Sequence, residues 1–153
     1  MVKLRSGFPR GRLGGQLAWF ALWAVMTAVG LYLTPNPSGF GTHTQLGLPP
    51  CPSTLLWARP CPGCGMTTSV AATLHGNFSL AFRAHPFGPL LYALFTASAL
   101  AGLYGWLRGL RMETGGRAFA WSVGVLIFAY LVHGTVRFFA TPPQPELVWS
   151  LTK

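Results

Sequence analysis

The chain contains no aspartate, and its only glutamates are Glu113 and Glu146. Acid/base catalysis by a pair of carboxylates is therefore all but excluded. So are carboxylate-rich sites for Mg²⁺ or Ca²⁺. Charge of any sign is scarce: 8% of the 153 residues are charged, against about 25% in an average soluble domain. Hydrophobic residues make up 51%. Such a chain cannot cover a globule with solvated groups. Strand and helix patterns do not alternate along it, which excludes a soluble thioredoxin-like fold. Cysteine is limited to three residues, Cys51, Cys61 and Cys64, all within 14 positions.

What is abundant is apolar sequence. Three uncharged runs stand out: WFALWAVMTAVGLYL within residues 14–34, PFGPLLYALFTASALAGLYGWL at 86–107, and AFAWSVGVLIFAYLVHGTV within 118–138. Each holds about 20 residues, enough to cross a ~30 Å hydrocarbon core as a helix. The predicted fold is an all-α membrane protein with three transmembrane helices. A Cys-containing, partly helical interfacial insert lies between the first and second. The expected layout is a basic tail over 1–13, spans at 14–34, 86–107 and 118–138, an insert over 35–85, a loop over 108–117 and a tail over 139–153. No A-x-A-like cleavage site follows the first run, where TPNPSG stands instead. It reads as an uncleaved anchor. Thr27, Thr96, Ser98 and His133 are among the few polar groups in the spans. That is poor lining for a channel or transporter.

Orientation follows from lysine and arginine placement. Lys3, Arg5, Arg10 and Arg12 precede the first span, and Arg108, Arg111 and Arg117 separate the second from the third. Arg59, Arg83, Arg137 and Lys153 lie on the other side. The positive-inside rule places the N-terminus in the cytoplasm and the cysteines outside. The expected location is a bacterial cytoplasmic (inner) membrane. The net charge of +9 flanks apolar runs, so the expected partners are the lipid bilayer and another membrane protein, not nucleic acid.

Within the insert, a short helix is predicted over 65–76, with Met66, Val70 and Leu74 on one face and Gly76-Asn77 as its stop. Ahead of it stands PCPGCG. The Cys61-Pro-Gly-Cys64 spacing admits three chemistries. A redox pair would use Cys61 or Cys64 as its catalytic nucleophile, with Cys64 near a helix N-terminus. A metal site would draw on Cys51, Cys61 and Cys64, with His75 or His85 as a fourth ligand and zinc as the cofactor. A plain disulfide would brace an outward-facing loop, but it leaves one cysteine over. His133 and Arg137 lie one helical turn apart in the third run, where ionisable groups are functional candidates. His43 sits in a loop and carries no signal of its own.

The pattern Cys51-Pro52, then Pro60-Cys61-Pro62-Gly63-Cys64-Gly65-x-Thr67, a short helix ending at Gly76 and an x-Pro opening the next span resembles a bacterial membrane family called domain of unknown function 2752. The resemblance covers roughly residues 48–138. It implies that Cys51, Cys61, Cys64, Thr67 and Arg137 belong to one pattern that converges at the outer membrane face. The chain departs from the family where Thr68 replaces an expected Arg, where His85 replaces Asn before Pro86, and where Phe138 replaces Asn after Arg137. Arg83 is the candidate substitute for the missing Arg. The family carries no activity to transfer. The function expected is a non-enzymatic accessory or assembly subunit whose cysteines form a structural disulfide or a metal-bound site. The alternative is a membrane thiol–disulfide oxidoreductase.

Overall fold

In a computed structural model, residues 3–5, 14–113 and 116–143 are described. Most of the basic tail, Glu146 and the C-terminal arm from 144 onward lie outside the described residues. The helices are α1 (Gly14–Tyr32), α2 (Pro52–Trp57), α3 (Met66–Leu74), α4 (Phe78–Ala84), α5 (Phe87–Arg108) and α6 (Arg117–Ala140), with a 3₁₀ turn at Thr42–Leu46. Three of these, α1, α5 and α6, are long and apolar enough to cross a membrane. Their outward side chains are large and bare: Trp121 is 75% exposed, Phe128 69% and Phe139 71%. Water would penalise that surface heavily, whereas lipid would not. The protein is an all-helical, multi-pass membrane protein with its cysteines between the first and second spans. The sequence reading gave no sign of one small exception. Strands β1 (Lys3–Arg5) and β2 (Arg111–Glu113) pair antiparallel, with Leu4 opposite Met112.

The chain divides into two compact units, Met1–Val29 with Leu91–Leu126 and Gly30–Leu90 with Ile127–Lys153. In the first, α1 and α5 are joined by side-chain hydrogen bonds. Trp19 donates to Ser98 at 3.0 Å, Trp23 donates to Thr96 at 3.0 Å, and Thr27 bonds Tyr92 at 2.9 Å. Positions 19, 23 and 27 share one face of α1. The few hydroxyls of these spans therefore hold helices together, which is the usual work of polar side chains in lipid.

The second unit holds α2, α3 and α4. The buried residues of α3 are Thr68, Ser69, Ala71 and Ala72, while Met66, Val70 and Leu74 are half-buried. The physical reason is close packing. Small side chains let backbones approach, and their hydroxyls satisfy stray carbonyls. Ser69 Oγ lies 2.8 Å from the Ala81 carbonyl and 2.9 Å from that of His85, and donates to this pair. Both lie at the C-terminal end of α4, and each carbonyl also accepts a backbone N–H, Ala81 from His85 and His85 from Gly88, both at 3.0 Å. Thr68 bonds the buried Thr42 at 2.7 Å. Helix α4 starts at Asn77, whose side chain accepts from the Leu80 N–H at 3.1 Å, a normal N-cap.

Gly65 sets where α3 begins. Its φ is +89°, a conformation that favours glycine. A Cβ there would also stand 2.9 Å from the Gly39 carbonyl oxygen and 2.5 Å from that of Ala84. Gly65→Ala is expected to cost about 1–3 kcal/mol, read as a lowered unfolding temperature of the detergent-solubilised protein. An unchanged midpoint would mean that the chain before α3 adapts freely.

Candidate functional site

The site is built around the turn at Cys61–Cys64. Cys51 comes first: it caps α2, with Pro52 in the first turn, and its carbonyl accepts from the Thr54 and Leu55 N–H groups at 3.0 and 3.1 Å. Proline suits that position because its missing N–H would have had no partner. After α2 the chain reverses at Ala58, whose φ is +49°. Ser53 Oγ closes the reversal by donating to the Arg59 carbonyl at 3.2 Å. Cys51 is thereby folded back toward Cys61 and Cys64.

The Cys-Pro-Gly-Cys segment is a β-turn, with the Cys64 N–H donating to the Cys61 carbonyl at 3.0 Å. Proline presets the first central position of such a turn. Every carbonyl of the four residues has a partner. The Gly63 carbonyl accepts from the Met66 N–H at 3.1 Å. The Pro62 carbonyl is paired with His85 Nε2 at 3.1 Å. The Cys64 carbonyl accepts from Arg137 Nη1 at 3.1 Å, and the same nitrogen donates to the Ala84 carbonyl at 2.8 Å. A turn with no free carbonyl is held firmly in one shape, as a site that must position its ligands requires.

Helix α6 supplies the floor of this turn. Gly134 lies under Pro62, and a Cβ at 134 would come within 2.7 Å of the Pro62 Cα. The Tyr130 hydroxyl lies 3.2 Å from where a Gly63 Cβ would be. Tyr130, Gly134 and Arg137 follow i, i+4, i+7 spacing on one face. The sequence reading found Arg137 and missed the other two. The helical spacing back from Arg137 is the signal that could have found them. The Arg137 guanidinium also sits over the Phe40 ring, 5.0 Å from its centroid, a cation–π contact.

All three cysteines are free and half-buried, and their three Sγ atoms lie within 4.8 Å of one another. The Cys64 thiol donates to Cys61 Sγ at 2.9 Å, and the Cys61 N–H donates to Cys64 Sγ at 3.0 Å. Cys51 Sγ is 3.4 Å from Ser53 Oγ, and Thr54 Oγ1 is 3.9 Å from Cys64 Sγ. Hydrogen bonding from the Cys64 thiol is the chief reason that the Cys61 pKa falls to about 5. The same bond, seconded by burial, pushes the Cys64 thiol up. In the metal-free site, Cys61 is therefore the thiolate and Cys64 the proton carrier. The three sulfurs open on a cavity of about 340 Å³, whose lining also includes Phe40, His43, Leu48, Thr54, Thr67 and Thr68. That volume falls at the small end of ligand pockets, which begin at about 300 Å³.

The histidines are placed elsewhere. His85 is fully buried. Its Nδ1 accepts from the Phe87 N–H at 3.3 Å, so its Nε2 carries the proton given to Pro62. Both ring nitrogens are spent on backbone, and burial, the leading cause, lowers its pKa and keeps the ring neutral. His75 caps the end of α3, with Nδ1 2.8 Å from the Ala71 carbonyl. Neither belongs to the sulfur cluster. The His133 ring stands 5.5 Å from that of His85, and its Nε2 is buried without a hydrogen-bond partner. Thr67 reaches the cavity wall. Where the resemblance leads one to expect Arg, Thr68 is buried against Thr42, while Arg83 is exposed on α4. Phe138, in place of Asn, packs edge-on against Trp57 at 6.3 Å, with the Arg59 guanidinium 5.8 Å from its centroid.

No curated protein and no solved structure matches this chain. Residues 51–99, which run from Cys51 through the cysteine turn, α3 and α4 into α5, match the model of a family described as a protein of unknown function (DUF2752), the family that the cysteine pattern resembles.

Proposed function

We propose that this is a non-enzymatic membrane protein whose Cys51, Cys61 and Cys64 hold one zinc ion. The ion fastens the insert between the first two spans and serves an assembly or accessory role beside another membrane protein. The observation that carries this reading is the convergence of all three Sγ atoms within 4.8 Å. Two thiols suffice for a redox pair; a third sulfur at that distance adds nothing to it. Tetrahedral zinc with Zn–S of about 2.3 Å needs sulfurs roughly 3.8 Å apart. The Cys61–Cys64 contact of 2.9 Å would open by about 0.9 Å, and with every pair within 4.8 Å none would close by more than about 1 Å. Thiolates also suit zinc's borderline-soft character, and the chain offers no aspartate for a harder ion. We place the site on the extracytoplasmic side of a bacterial cytoplasmic membrane, on the lysine and arginine distribution.

Protein purified in detergent without chelators is expected to carry one zinc per chain. Cys51→Ser, Cys61→Ser and Cys64→Ser should each lower that ratio at least about tenfold, since zinc affinity depends on the full ligand set. A ratio that Cys51→Ser leaves untouched would remove Cys51 from the site. In intact spheroplasts treated with chelator, a membrane-impermeant maleimide should label the cysteines. Labelling only after lysis would reverse the orientation.

A second reading has a specific observation of its own, the Cys64 thiol donating to Cys61 Sγ at 2.9 Å. In a thiol–disulfide exchange, the Cys61 thiolate would attack a substrate disulfide and displace one substrate thiolate. Cys64 would then lose its proton and attack the mixed disulfide, releasing the second thiolate and closing Cys61–Cys64. The pH profile of metal-free protein tests this poise. A thiol with a pKa near 5 is still ionised at pH 6, whereas an ordinary thiol near 8.5 loses about tenfold in thiolate per pH unit below that value. Iodoacetamide is expected to modify Cys61 at nearly the same rate from pH 8 down to 6, and more slowly below 5. A rate that falls steadily from pH 8 would remove the support for Cys61 as a nucleophile.

A further inference from the structure

Among the described residues, no fourth donor lies within the sulfur cluster: it contains no fourth His, Cys, Asp or Glu atom. His85 spends both ring nitrogens on Pro62 and Phe87. His75 Nδ1 is on the Ala71 carbonyl. His43 reaches the cavity wall, with Nε2 3.3 Å from the Pro49 carbonyl, but it is not part of the sulfur cluster. What the three sulfurs do share is the cavity of about 340 Å³. Closed structural zinc sites take four protein ligands, whereas sites with three keep the last position for water or another exchangeable ligand.

Charge narrows the class of ligand. Three thiolates around a divalent ion leave one negative charge. The Arg137 guanidinium, bonded to the Cys64 carbonyl and within electrostatic reach of Cys61 and Cys64, offsets it. A fourth anionic ligand would bring an uncompensated charge into a half-buried place, which is costly. A neutral donor leaves the balance intact. The wall beside the sulfurs is fitted to a small, flat, partly apolar group: the Phe40 ring and Leu48 supply apolar surface, and Thr54 and Thr67 supply hydroxyls.

Building on the zinc reading above, we propose that the ion held by Cys51, Cys61 and Cys64 keeps one coordination position open to this cavity and accepts there a neutral nitrogen donor of the imidazole type from outside the chain. The site is then a docking point for a ligand. A small imidazole compound and the histidine side chain of a partner protein share this chemistry.

The test uses the full-length protein in detergent with cobalt(II) in place of zinc, whose visible bands report coordination number and donor type. Imidazole titrated into the cobalt protein is expected to shift these bands saturably, with one imidazole per ion. It should bind at least about tenfold tighter than β-mercaptoethanol, which would enter as an anion. His43→Ala should leave the resting spectrum unchanged. A short histidine-containing peptide separates the two sources: a shift by the peptide as well assigns the position to a partner's side chain, and a shift by imidazole alone assigns it to a small molecule. One ion bound with bands indifferent to imidazole means a closed site and overturns the proposal. So does a resting spectrum altered by His43→Ala, or tighter binding of the thiol. Absence of stoichiometric cobalt or zinc binding instead defeats the zinc reading itself, and the open position with it.

Discussion

The arrangement depends on a half-buried cation that meets no carboxylate among the described residues. Arg137 lies on α6 in a chain without aspartate, so its charge must be satisfied by dipoles. Nη1 bonds the carbonyls of Cys64 and Ala84, and the ring of Phe40 lies against the guanidinium. Ala84 is the last residue of α4, where unpaired carbonyls and the helix dipole both favour positive charge. Three separate stretches of chain are thus fixed to one side chain. Removing it would leave two part-buried carbonyls without this donor, each worth up to about 1–3 kcal/mol when orphaned. Lysine is a poor substitute, because it lacks the planar fork that serves two acceptors at once.

From that anchor the cysteine turn acquires its rigidity. Gly134 lets α6 come up against Pro62, His85 takes the Pro62 carbonyl, and Arg137 takes that of Cys64. The turn's own hydrogen bonds account for the other two carbonyls. With its backbone committed, the turn has only its sulfurs left to do chemistry. They point at one another and at the cavity.

Much of this was legible in the sequence for simple reasons. A run of twenty apolar residues has few alternatives to a spanning helix, and Cys-x-x-Cys spacing brings two sulfurs together by local geometry alone. The approach of Cys51 was legible only through the motif pattern of the family it resembles, since nine residues lie between it and Cys61; the backbone reversal at Ala58 and the Ser53 bond to Arg59 bring it round. Histidines are harder to assign. Spacing makes His75 and His85 plausible ligands, but a ring nitrogen bonds whichever carbonyl or N–H the fold presents. Here those are Ala71, Pro62 and the Phe87 amide. Which face of α3 is buried was not legible, because hydrophobicity ranks Met66, Val70 and Leu74 above the buried Thr68 and Ser69. Where helices pack closely, small size and hydroxyl groups decide what is buried.

The same scarcity of charge that marks the sequence constrains the chemistry. Apart from the two glutamates, the only side chains here that become anions near neutral pH are thiols. Among the described residues, the arginine held at the cysteine turn interacts electrostatically with the thiols of Cys64 and Cys61. In the metal-free protein one thiolate, Cys61, is stabilised mainly by the Cys64 thiol. The proposed zinc ion would turn all three sulfurs into thiolates and leave a net charge that the guanidinium can match. Cys51 then becomes intelligible. Beside a working redox pair, a third thiol within 4.8 Å would compete for the disulfide and divert it. Beside a metal ion, the same proximity completes the ligand set.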